Sequence, residues 1–199
     1  MPIAVNGSGT ITGISVGGLP DGIVDTDMLA ANAVTAAKAT GSAKGITVSD
    51  SWIITTAYTS NSAAVMDSNW VRQVDNMSTT GVVGSAMTQS SGVFTFPTTG
   101  IWLICLQVYF ITNGGRTYVG QQHQLSTDSG SNFTTMLSGY GNGYQSNAYI
   151  VNQTIDVYDI TNTSTHKLRF RTEVSDTVSV RGTTAEKRTG ATFIRLGDT

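Results

Sequence analysis

The side chains of this sequence that could do chemistry are few and scattered. His123 and His166 fall in separate segments of β-like patterning, and neither has an acidic or cysteine neighbour at metal-ligand spacing. Only three copies of one histidine gathered on a rotation axis would make a site from them, so no metal and no cofactor is assigned. Asp156 and Asp159 lie close in sequence, but a carboxylate pair that hydrolyses glycosides works across a cleft, and no cleft is suggested. STDSGSN (126–132) offers Asp128 as its only carboxylate, whereas a calcium loop needs several oxygens at alternating positions. GYGNGY (139–144) has the glycines of a phosphate cradle but neither its lysine nor its strand-to-helix setting. It reads as a surface loop, and its Tyr140 and Tyr144 are the candidates for receptor or glycan contact, because tyrosine offers a large amphipathic surface. Cys105 is the one cysteine, which excludes an internal disulfide framework and any multi-cysteine metal site within one chain. It reads as a small buried hydrophobe in a strand. No nucleophile elbow or dinucleotide fingerprint occurs, so no catalytic residue is assigned and an enzyme is not expected.

Composition narrows the partners. Among 199 residues, 12% are charged and the formal net charge is -2, too balanced to steer the chain toward nucleic acid or anionic lipid. A hydrophobic content of 39% is enough for a core. The longest apolar run, Ile101 to Phe110, is half of the ~20 residues that a membrane-spanning helix needs, so no membrane insertion is expected. The opening MPIAVNGSGT has no basic residue and no apolar run of the secretory type. Five N-x-S/T sequons, at Asn6, Asn76, Asn132, Asn152 and Asn162, are expected by chance in a chain so rich in Asn, Ser and Thr, and receive no role.

Two unlike parts must carry these residues. Residues 1–50 contain no aromatic side chain and are dominated by Gly and Ala. GSGTITGISVGGLPDG (7–22) reads as an extended arm with turns at Gly17-Gly18 and Pro20-Asp21-Gly22, and with Ile14, Val16 and Leu19 as its apolar residues. DTDMLAANAVTAAKATG (25–41) reads as one short Ala-rich helix, with Asp25 or Thr26 as cap and Gly41 as stop. Met28, Leu29, Ala33, Val34 and Ala37 form a stripe too narrow to hold a helix alone, so the segment is expected to order on contact with a neighbour. Residues 51–199 are all-β. Strands are expected over 52–57, 69–75, 81–87, 92–96, 101–112, 117–125, 133–137, 147–158, 166–174, 177–181 and 190–196, separated by turn clusters such as Asn113-Gly114-Gly115 and Ser126–Ser131. Strands at this spacing make an antiparallel sandwich or barrel. In HKLRFRTEV, Leu168 and Phe170 share one face and Lys167, Arg169 and Arg171 the other, a basic stripe with acids nearby at Glu173 and Asp176 that reads as a solvated or paired outer face.

One strand breaks the pattern. In 101–110, Trp102, Ile104, Leu106, Val108 and Phe110 point one way, while Ile101, Leu103, Cys105 and Tyr109 point the other with Gln107 among them. A sandwich buries one face of each strand and wets the other, but this strand has no face meant for water. Exposing large side chains forgoes roughly 1.5–3 kcal/mol each and leaves a patch that aggregates. A second copy of the chain is the simplest cover, which makes Ile101, Leu103, Cys105 and Tyr109 the expected interface of an obligate homo-oligomer.

The stretch GVFTFPTTGIWLICLQVYF (92–110) resembles the signature segment of C1q/TNF-like jelly rolls, with Gly92, Phe94, Phe96, Pro97, Gly100 and Trp102 at matching places. The C-terminal ATFIRLGD, with Phe193, Ile194 and Leu196, is similar to the last strand of that family. The resemblance implies an antiparallel C1q/TNF-like jelly-roll sandwich that assembles as a tight homotrimer. ITGISVGGLPDGIVDTDMLAANAVTAAKAT in turn is similar to segments of bacteriophage fibre and virion-surface proteins. That likeness implies a slender N-terminal part docked on the particle and a trimeric knob facing outward. The expected function is therefore a non-enzymatic virion structural protein, a homotrimeric capsid decoration or cement protein located on the virion surface after assembly in the host cytoplasm. Its residues 1–50, through Ile14, Val16, Leu19, Met28, Leu29 and Val34, would meet phage capsid or tail proteins. The alternative is a short tail fibre whose knob recognises a host surface glycan.

Overall fold

Period-two patterning from Val48 onward is realised as strand after antiparallel strand. The computed structural model describes residues 45–73, 81–114 and 117–199, which belong to the unit Gly41–Thr199. The expected arm, the Ala-rich helix and the docking residues Ile14, Val16, Leu19, Met28, Leu29 and Val34 lie outside the described residues, as do Asn6 and Asn76. In chain order the strands are β1 (Val48–Ile54), β2 (Tyr58–Ser60), β3 (Ala64–Val65), β4 (Trp70–Arg72), β5 (Val82–Val83), β6 (Thr88–Ser90), β7 (Val93–Thr95), β8 (Gly100–Thr112), β9 (Thr117–Ser126), β10 (Thr134–Gly143), β11 (Tyr149–Ile160), β12 (Lys167–Val174), β13 (Val178–Val180) and β14 (Gly190–Gly197). One sheet runs β2-β13-β8-β14-β1-β4, with β11 also paired to β8 and β5 to β1. The other runs β10-β9-β12-β7-β6, with β3 also paired to β12.

The inner faces of the two sheets meet over an aromatic core. Phe94 lies at its centre, with ring centroids of Phe193, Trp70, Trp52 and Phe170 at 5.0, 5.2, 5.6 and 5.6 Å. β8 contributes Trp102, Ile104, Leu106, Val108 and Phe110, all buried. The turn between β6 and β7 needs its glycine. Gly92 has φ +77°, and a Cβ there would sit 2.3 Å from the Met66 carbonyl oxygen.

Several elements differ from their expected bounds. The first strand begins four residues early and ends at Ile54, because it follows the last strand in register from Val48↔Arg195 to Ile53↔Gly190. The strand expected at 81–87 shrinks to Val82–Val83, since the chain leaves β1 at Gly84, where φ is +67°. Thr88–Ser90 pairs with β7 as an unexpected short strand. The largest difference is β10, which runs on to Gly143 where a loop was expected from Gly139. Alternate glycines explain it. Gly139 and Gly141 turn inward onto β11 and Gly143 onto the end of β8, where an added Cβ would meet the Thr154, Asn152 and Thr112 side chains at 2.5, 2.7 and 2.4 Å. Glycine every second residue is thus a strand packing face without side chains, which lets the edges of the two sheets approach closely.

Candidate functional site

The outward face of the β8 sheet is built from apolar rows on adjacent strands. Ile101, Leu103, Cys105 and Tyr109 of β8 are half-buried there within one chain. Register places Val157 opposite Leu103, Ile155 opposite Cys105, and Val151 opposite Tyr109 on β11. On the other flank, Ile194 of β14 lies opposite Leu103. Val151, Ile155 and Val157 are 52, 61 and 49% exposed. The face is therefore an apolar surface, interrupted by the Gln107–Gln153 pair and open on the β11 side.

Part of this face is covered by the chain itself, through the connection between β13 and β14. Gln107 Nε2 donates to the carbonyls of Lys187 and Arg188 at 3.3 and 2.9 Å. Its Oε1 accepts from Gln153 Nε2 at 2.7 Å, so the polar residues of the two rows satisfy each other. Arg188 lies over the Tyr109 ring at 5.9 Å, and the rings of Tyr109 and Tyr149 are 5.9 Å apart. Cys105, expected as a small buried hydrophobe, is only partly covered in the single chain. It is half-buried and lines a hollow of about 280 Å³ together with Gln107, Gln153, Ile155, Lys187 and Thr192. Burial pushes its thiol pKa up, with the nearby Lys187 ammonium pulling the other way. Lys187 donates from Nζ to Ser51 Oγ at 2.9 Å and Thr192 Oγ1 at 2.5 Å. Burial lowers its pKa to about 8, partly offset by Cys105.

The two histidines are not brought together. His123 lies fully buried between the sheets, bonded through Nδ1 to Tyr158 Oη at 3.1 Å and through Nε2 to Thr154 Oγ1 at 3.0 Å. Gln121 Nε2 also reaches Thr154 Oγ1 at 3.0 Å, as well as the Leu106 and Asn152 carbonyls. Burial lowers the His123 pKa to about 4, with Asp156 opposing the shift. His166 stays at the turn before β12, against the Asn162 carbonyl at 3.0 Å. Asp128 holds its own turn. It accepts from Asn132 N, Asn132 Nδ2 and Ser126 Oγ at 2.8, 2.7 and 2.7 Å. These bonds, the Asn132 backbone first, lower its pKa to about 2.

On the outward face of the second sheet, Tyr140 is fixed rather than loop-borne. Its ring lies over Gly120, whose absent Cβ would be 2.4 Å from Cδ1, and its hydroxyl donates to Glu173 Oε2 at 3.0 Å. Gln122 Nε2 bonds the same carboxylate oxygen. Tyr140 and Tyr144 are 54 and 76% exposed. The basic stripe is tied down locally: Arg169 donates to Gln124 Oε1 at 2.8 Å and covers the Phe133 ring at 4.0 Å, and Lys167 donates to the Thr163 carbonyl at 2.9 Å. Glu173, expected to balance that stripe, instead anchors Tyr140 and Gln122.

The sheet order and the two-faced central strand decide the fold. It is a TNF-like jelly roll. Eiger TNF from S. frugiperda matches with a TM-score of 0.59 at 14% identity, over 76% of this chain and 93% of that one. Murine APRIL at pH 8.5 matches with a TM-score of 0.53 at 12% identity, over 75% of this chain and 98% of that one. In the structure of murine APRIL at pH 5.0 the corresponding values are 0.52 and 12%, over 74% and 99%. No family model and no curated protein sequence matches the chain. At these identities the similarity is one of fold.

Sequence reasoning missed one buried ionic cluster. Asp50, 1% exposed, takes Arg72 Nε at 2.9 Å and the Met87 backbone N–H at 2.8 Å, while Arg72 Nη2 donates to the Met87 carbonyl at 2.7 Å. The hint was available in VSDSWII. Asp50 alternates with Val48 and Trp52, so it shares their inward face.

Proposed function

We propose that the chain is a non-enzymatic structural protein of a virion surface, acting as a homotrimer whose jelly roll forms an outward knob and whose residues 1–50 dock onto capsid or tail proteins. The observation that carries the trimer is the aliphatic surface of β8, β11 and β14. Val151, Ile155 and Val157 stand next to Leu103, Cys105 and Tyr109, and burying each large side chain is worth roughly 1.5–3 kcal/mol. A three-fold ring closes on itself and leaves no such surface exposed, and it is the assembly that the C1q/TNF resemblance implies. The viral setting rests on the likeness of residues 11–40 to phage surface segments. Between sites on the particle we favour capsid decoration, where the arm would order against neighbouring coat subunits and add contact area across their seams. Deleting the gene then yields particles that lose resistance to heat while still adsorbing to the host. Unchanged heat resistance with abolished adsorption would place the protein on the tail instead.

A second reading, a knob that binds a host surface glycan, is favoured by one observation. Tyr140 is held rigid by Glu173 and Gly120 while more than half of it faces solvent. Such a pre-ordered aromatic face binds at low entropic cost. Replacing Tyr140 and Tyr144 together by Ala is expected to abolish adsorption if this reading holds, and adsorption that persists contradicts it.

A further inference from the structure

The sheet has a seam where β8 exchanges neighbours. β14 pairs with it up to Gly190↔Gln107, and β13 takes over at Val180↔Phe110. Arg181 follows β13 directly, its backbone N–H donating to the Tyr109 carbonyl at 2.8 Å. Its side chain lines a hollow of about 300 Å³ together with Thr59, Asn113, Asn147, Thr177, Ser179 and Ile111. Among the described residues, no carboxylate lines this hollow, Arg181 Nε is buried without a hydrogen-bond partner, and its guanidinium has no ion pair. A buried guanidinium donor of this kind ordinarily finds an acceptor. The two acids nearest in sequence are engaged elsewhere: Asp176 Oδ1 accepts from the Thr177 backbone N–H at 2.6 Å, and Glu186 pairs with Arg188 at 2.5 Å.

The walls are preformed. Thr112 Oγ1 donates to the Gln145 carbonyl at 2.6 Å and accepts from the Ala148 N–H at 3.0 Å, while the Asn147 N–H donates to the Thr112 carbonyl at 2.8 Å. These bonds fix the connection that carries Asn147. Ser146 Oγ donates to the Asn113 carbonyl at 3.2 Å and ties the opposite wall to it. Among the described residues, Arg181 is the one cation of a hollow otherwise lined largely by hydroxyls and amides. Beside Ile111, on the same face, stands Tyr149, which is 70% exposed.

We propose that this hollow binds an acidic sugar residue, its carboxylate on the Arg181 guanidinium and its ring hydroxyls on Thr59, Ser179, Asn113 and Asn147. A carboxylate offers two oxygens to match the guanidinium fork, the neutral walls match hydroxyls, and Ile111 with Tyr149 matches the C–H face of a ring. The volume suits one sugar unit. The biological role rests on the glycan-binding reading above, whereas the chemistry of the hollow does not.

The test is titration of the full chain with sodium galacturonate, with galactose and inorganic phosphate as controls, read by amide chemical shifts and calorimetry. Galacturonate is expected to saturate, galactose not to, and phosphate to bind at least about tenfold more weakly. Arg181→Gln, which keeps the stem and an amide, should weaken galacturonate by about tenfold or more, as the loss of a charged hydrogen-bonded pair does. Asn147→Ala should weaken it less. The absence of saturation, or binding unchanged in Arg181→Gln, overturns the proposal. Phosphate binding as tightly as galacturonate overturns the sugar assignment and leaves a simple anion site. Dissociation of the oligomer in Arg181→Gln, seen by light scattering, would instead assign the acceptor to a second copy of this chain. If galacturonate binds as predicted but Arg181→Gln virions adsorb normally, the hollow stands and the receptor reading fails.

Discussion

The hydrogen bonds around His123 have one self-consistent polarity. Gln121 Nε2 supplies a proton to Thr154 Oγ1, which frees the threonine proton for His123 Nε2. Nδ1–H then donates to Tyr158 Oη, and the tyrosine proton goes to Asp156, whose charge and hydrogen bond, after burial, push the phenol pKa up. The chain of donors is complete only while the imidazole is neutral. Burial lowers its pKa to about 4 from an ordinary 6.5, so as pH falls the unfolded chain takes up this proton first. The stabilisation from a neutral His123 is whole above about pH 6.5 and is lost as pH falls toward about 4, a change of about 3 kcal/mol. Urea midpoints at pH 7 and 4.5 are expected to differ less in His123→Gln than in the unaltered protein. At Asp50 the expected result is simple destabilisation. Asp50→Ala strands the Arg72 guanidinium and the Met87 N–H, and should cost about 3 kcal/mol in chemical denaturation.

At the scale of elements, patterning was readable where side chains alternate and misread where glycine did. β8 and β12 match their expected spans closely, because buried and half-buried residues alternate along their whole length. The glycines of GYGNGY read as loop signals because glycine marks turns, yet they sit at alternate positions over Thr154, Asn152 and Thr112. Gly141→Val is expected to cost about 1–3 kcal/mol by forcing β10 off Asn152, measurable as a lowered urea midpoint, whereas Asn142→Val, on the outward face, should be near neutral. The connection between β13 and β14 was also illegible. Nothing in RGTTAEKRTG signals that its Lys187 and Arg188 carbonyls will cap Gln107, because that contact depends on strands joined far apart in sequence. The same holds for Arg181, whose isolation becomes visible only once β8 changes neighbours above it.

For the whole molecule, the two-faced strand was the strongest signal in the sequence, and the structure refines it. The second face of β8 is partly covered from within the chain, so the open apolar surface has its centre on β11, at Val151, Ile155 and Val157. Those side chains are exposed in the single chain and do little for its folding. Replacing Ile155 and Val157 together by Asp should therefore release folded monomers, with β-sheet circular dichroism retained and mass reduced, whereas a core change such as Phe94→Ala should unfold the domain. The trimer is tested by the mass of the intact chain in dilute solution, measured by multi-angle light scattering at micromolar concentration. The expected value is three times the 20.9 kDa chain mass, unchanged on tenfold dilution. A folded species at the mass of one chain would contradict it.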